Sequence, residues 1–77
     1  MDESIQIPLT KDEAIVLLEF LMRVNDKPVE NLFEDQSEQR VLWDIECVLE
    51  KQVFEVLISD YEAQVEQARG RVRDVED

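Results

Sequence analysis

The stretch that decides the fold runs from Thr10 to Asn25: Thr-Lys-Asp-Glu-Ala-Ile-Val-Leu-Leu-Glu-Phe-Leu-Met-Arg-Val-Asn. It opens with a capping box. The Thr10 hydroxyl is placed to accept from the amide of Glu13, and the Glu13 carboxylate to reach back to the amide of Thr10. Apolar residues then cover roughly 260° of the helical wheel, far more than an ordinary amphipathic stripe. Asp12, Glu19 and Arg23 form the one narrow polar strip. A helix this apolar has to be covered on several sides. The expectation is a small all-α fold, completed by a homodimer, since two-fold pairing is the commonest way to finish such a cover.

Upstream, residues 2–9 alternate, with Ile5, Ile7 and Leu9 on one side and Pro8 confining any ladder to a sheet edge. This predicts a short extended segment whose apolar side faces the core, with Leu9 stapled against Ala14. Downstream, Asn25 suits a helix end and Pro28 disfavours helix at Lys27. Leu32 and Phe33 are expected to pin the following connection to the core. A second helix is predicted over 36–52, capped by Asp35 with Glu38 or by Ser37. Val41, Leu42, Ile45, Val48 and Leu49 read as its single core face, with Gln39, Glu46 and Glu50 opposite. Trp43 and Cys47 sit beside that polar face, and Cys47 reads as a small buried or half-buried residue.

Val53 to Ile58 is rich in β-branched and aromatic residues and reads as an extended connector, although nothing in it stops a helix. Ser59 and Glu62 read as a capping box for a third helix near 60–70, with Tyr61, Val65, Ala68, Val72 and Val75 as a narrow seam. Gly70 costs that helix about 1 kcal/mol relative to alanine, so its end is expected to fray into a mobile tail over 71–77. The whole, residues 1–77, is one domain: a small three-helix fold with a short extended N-terminal segment.

Twenty acidic residues stand against eight basic ones, a formal charge of −12. Phosphate backbones and anionic membrane surfaces are repelled by such a chain, whereas a basic protein is attracted. There is no histidine, one cysteine and one glycine. That removes a Ser–His or Cys–His nucleophile pair, a Gly-rich phosphate cradle and a dinucleotide fingerprint. It also leaves no disulfide framework, no usual zinc set and no Glu-x-x-His di-iron motif. The expectation is a non-enzyme without cofactor or metal. The start lacks the basic and apolar regions of a signal peptide, and a lone cysteine suits a reducing compartment, so a cytoplasmic protein is expected.

The blocks Leu9-Thr10-Lys11-Asp12-Glu13-Ala14, Glu34 to Asp44 and Ser59-Asp60-Tyr61 resemble short acidic helical proteins of bacteria. The resemblance covers under half of the chain, carries no catalytic signature, and implies a bacterial cytoplasmic origin without an activity. What remains is binding. Between Val29 and Gln39 there are four acids and no base. A partner surface is expected on Glu30, Glu34, Asp35 and Glu38, continued along the second helix by Trp43, Glu46 and Glu50. The charge would speed association and tryptophan would supply the anchor. This points to a module that binds and restrains a basic protein, of the immunity-protein, antitoxin or inhibitor type, with mimicry of nucleic-acid charge as a special case. The alternative is a structural or regulatory homodimer with no inhibitory target.

Overall fold

The capping box at Thr10 forms. In the computed structural model, which describes residues 3–26 and 32–74, Thr10 Oγ1 accepts from the Glu13 amide at 3.0 Å and Glu13 Oε1 from the Thr10 amide at 2.9 Å. Helix α1 follows over Lys11–Asp26. Asp12 and Glu13 lie in its first turn and Arg23 in its last, each matched to the helix dipole. Helix α2 spans Gln36–Gln52 and is capped by Asp35, whose Oδ2 accepts from the Ser37 amide at 2.8 Å. Glu38 reaches back to the Glu34 amide at 3.0 Å, so the two acids satisfy two otherwise free donors.

The chain breaks helix at Val53 and resumes it for one turn, α3, over Phe54–Leu57. An extended connector was expected here. The helical turn wins because its spacing of three buries Val53 and Val56 together while leaving Phe54 and Ile58 outside. Helix α4 spans Tyr61–Arg73. Its start corrects the Ser59–Glu62 capping box. Asp60 takes the N-cap position in the left-handed conformation, at φ 49°, with no side-chain cap hydrogen bond. Glu62 then stands one residue too early to close a box, and Gln64 instead donates to the Ser59 carbonyl at 2.7 Å. At the other end α4 runs through Gly70 as far as Arg73, three residues beyond the expected helix. Residues 75–77 of the expected tail lie outside the described residues.

The architecture is all-α, with no strand among the described residues. Helix α1 is the middle layer, packed on α2 along one flank and on α4 along the other. Both neighbours run antiparallel to it. Asp12, at the start of α1, meets Arg71 near the end of α4, and Glu19 further along meets Tyr61 at the start of α4. Lys11 meets Glu55, beyond the end of α2, while Asn25 meets Glu46 earlier in α2. The core is Ala14, Ile15, Leu18, Leu21, Leu49, Val53, Val56, Val65 and Ala68. Four of these belong to α1, the largest share of any element. Tyr61 packs on this core, as its place in the expected seam implies, whereas Val75 lies outside the described residues.

Four expectations about covering fail. Ile5, Ile7 and Leu9 do not face the core; all are exposed, Ile5 by 89%. Their alternation has no ladder to join, since there is no strand among the described residues. Leu32 is exposed rather than pinned, although Phe33 is half-buried. Helix α2 turns only one edge of its apolar face inward: Leu49 is buried and Leu42 packs on the core, but Val41, Ile45 and Val48 are exposed. Cys47 is also exposed and free, not buried.

Truncation of Leu18 or Leu21 to alanine is expected to destabilise by about 2–5 kcal/mol, and Leu17→Ala, half-buried, by less. Urea melts of the three variants check the ranking; equal costs would overturn the burial pattern. Gly70→Ala is expected to stabilise by about 0.5–1 kcal/mol. Among the described residues a methyl there meets only the far end of Arg73, at 3.7 Å, in ordinary contact. A fall in melting temperature would show that the end of α4 is not helical in solution.

Candidate partner-binding site

The residues expected to bind a partner fall into three environments. Glu30 lies outside the described residues. Glu34, Asp35 and Glu38 are exposed at the start of α2, where two of their carboxylates are engaged in capping. Hydrogen bonds from Ser37 hold the Asp35 carboxyl below the usual carboxylate range, so this acid stays charged to low pH. Trp43, Glu46 and Glu50 lie on the flank of α2, with both glutamates half-buried and Trp43 exposed by 43%. The surface of α2 that was expected to be outermost is therefore partly folded against α1.

The reason is a cross-helix hydrogen bond. Asn25 Nδ2 donates to Glu46 Oε1 at 2.7 Å. This fixes which end of the amide is which, because the opposite orientation would set the amide oxygen against the carboxylate. Asn25 Oδ1 is left buried without a hydrogen-bond partner among the described residues. Around this pair lies an open depression of roughly 520 Å³, lined by Glu19, Met22, Arg23, Asn25, Asp26, Trp43 and Glu46. Its chemistry is specific: an aromatic face, a thioether, three carboxylates and an amide oxygen without a donor among the described residues. Every strong acceptor here suits a cation, and an aromatic face adds to the attraction. The one base lining it among the described residues, Arg23, is held 3.5 Å from Glu19 and lies 5.7 Å from the centre of the Phe20 ring.

Glu19 belongs to a second group that sequence reasoning passed over. It accepts from the Tyr61 hydroxyl at 2.7 Å and lies 3.8 Å from Arg69. About two turns earlier on α1, Asp12 takes a two-pronged contact from Arg71 at 2.8 and 3.0 Å. The strip that looked like the solvent side of α1 is the polar edge of its contact with α4. The partners were legible only as unexplained coincidences: a polar strip on an otherwise apolar helix, and the chain's one cluster of arginines. Arg71, by its hydrogen bonds, holds the Asp12 carboxyl below its ordinary value. Among the described residues there is no group of three or more Cys, Asp and Glu arranged to hold a metal ion, and no helix is long and apolar enough to cross a membrane.

Burial, and then the Glu19 carboxylate, push the Tyr61 phenol above its ordinary value of 10.0. A folded-state value raised in this way contributes stability that is fully present below the unfolded value and lost as pH rises past it. The melting temperature is therefore expected to fall above about pH 10, the ordinary phenol range, with Tyr61→Phe flattening that limb. Tyr61 is the only tyrosine, so its phenolate absorbance follows the same ionisation directly. An ordinary titration near pH 10 in the folded protein would mean that Tyr61 is neither buried nor in contact with Glu19.

Comparison of the chain with protein-family models, with curated proteins and with solved structures found no match, and the meaning of the site rests on its own geometry and charge.

Proposed function

We propose that the chain is a non-catalytic protein-interaction module that binds and restrains a basic protein, as immunity proteins, antitoxins and small inhibitors do. The observation that carries this reading is the depression at Trp43. A lysine or arginine of the target would lay its aliphatic stem against Trp43 and Met22. Its charged head would reach Glu46 and Asp26 and supply a donor to Asn25 Oδ1. Removing that head's water is offset by charge-assisted hydrogen bonds, which are stronger than neutral ones.

The acidic start of α2 supports the same reading over longer range. Glu34, Asp35 and Glu38 are exposed beside a chain that already carries −12. Their field would accelerate encounter with a positive target, whereas the contact at Trp43 would set how long the complex lasts. The charge excess alone would serve any acidic protein as a solubility device. It is the coincidence of excess acid with an exposed tryptophan and an acceptor unpartnered among the described residues that favours binding.

The test uses paired baits, wild type and Trp43→Ala, followed by kinetics on the retained protein. The expected result is a basic protein captured by wild type and lost from Trp43→Ala, with dissociation accelerated at least about thirtyfold if Trp43 is a hot spot worth about 2 kcal/mol. Glu34→Lys with Glu38→Lys is expected to slow association instead, by a factor that shrinks as salt rises. Capture that is indifferent to Trp43 and to salt, or no captured protein with a basic surface, would overturn the reading.

A further inference from the structure

We propose that the chain pairs with a second copy of itself through the uncovered edge of α2, in an antiparallel two-fold contact centred between Ile45 and Val48. This is independent of the basic-partner reading, since it uses the edge of α2 remote from Trp43. Val41, Ile45 and Val48 are 53%, 37% and 56% exposed. They follow one another at spacings of four and three, and Gln52 continues the series by four. That is one half of a helix-packing seam. The other edge of the same helix, Leu42 and Leu49, is already spent on the core.

The charges flanking the seam say what covers it. In an antiparallel pairing Ile45 lies opposite Val48 of the second copy, and Val41 opposite Gln52 of the second copy. The same register sets Asp44 across from Lys51 of the second copy, and two-fold symmetry repeats the pair. Both residues are exposed, and neither is in an ion pair among the described residues. The edge is thus complementary to itself in shape and in charge; reversing either charge alone would set like against like. The register also brings Val41 of the second copy to the end of α2 where Ile7 and Leu9 border a cleft with Val48 and Gln52. An N-terminal segment whose isoleucines find no place in their own core then has apolar surface to lie against.

Sedimentation equilibrium at micromolar to tens of micromolar concentration tests this. The wild type is expected at twice its 9.1 kDa mass. Ile45→Glu is expected to raise the dimer dissociation constant at least about a hundredfold, with helical circular dichroism retained. Asp44→Lys and Lys51→Asp are each expected to raise it by about tenfold, and the double reversal to return it to within about twofold of wild type. Because two copies of −12 repel, dimerisation should strengthen with moderate salt, opposite to capture of a basic target. Trp43→Ala should leave the dimer intact, so failure here and failure of the basic-partner reading are separable. A monomer throughout this range, a dimer indifferent to Ile45→Glu, or a double reversal no better than the single ones would each overturn the proposal.

Discussion

Everything in this fold follows from having to cover α1 on two flanks at once. The buried residues Ala14, Ile15, Leu18 and Leu21 do not form one narrow stripe. Their spread is wider than a single neighbouring helix can shield, and so α2 and α4 approach from different sides. The remaining core residues serve that cover. Leu49 comes from α2, Val53 and Val56 from the turn that follows it, and Val65 and Ala68 from α4. The short α3 makes this possible in few residues, because a one-residue break at Val53 redirects the chain while keeping an apolar contact on each side of the break.

Polar contacts decide how the helices are turned once the apolar surfaces have met. On the α4 side, Asp12 and Glu19 engage Arg71, Tyr61 and Arg69. Exposed ion pairs of this kind contribute little to stability, but a two-pronged arginine contact and a tyrosine hydroxyl are directional and penalise other rotations. On the α2 side, the Asn25–Glu46 hydrogen bond draws a carboxylate inward. The same rotation carries Val41, Ile45 and Val48 out of reach of α1. The acceptor-lined depression and the uncovered apolar edge are therefore two results of one choice of helix orientation.

Much of this was legible in local sequence. The Thr10–Glu13 box, the Asp35 cap, the extent of α1 and α2 and the burial of α1 depend on residues a few positions apart, and those patterns are read directly from the chain. What was not legible depends on comparison between distant or competing signals. Five apolar residues on α2 are equally suited to a core, and only tertiary packing selects Leu42 and Leu49 over the other three. Ser59 and Glu62 match a capping box, but Asp60 offers a left-handed turn that shifts the helix start and wins. Of the proposed partner-binding residues, Trp43 and Glu46 are brought to one depression, the α2 start stands apart from it, and Glu30 lies outside the described residues. Asn25 and Asp26 join the site without a sequence signal, because their relation to Glu46 exists only once α1 and α2 are packed.

The pairing of Asp12 with Arg71 spans 59 positions of sequence, and it bears on the order in which the molecule comes into being. During synthesis α1 emerges well before its second flank exists. At about 5–20 residues per second, the intervening segment takes several seconds to make. Over that interval the most apolar helix of the protein has only α2 for shelter, and the sticky side of a nascent chain is open to its neighbours. The heavy load of carboxylates between Glu30 and Glu50 appears in just this window. Like net charge opposes association between chains, so the acidic excess acts against contact of one half-built domain with another copy before α4 is in place.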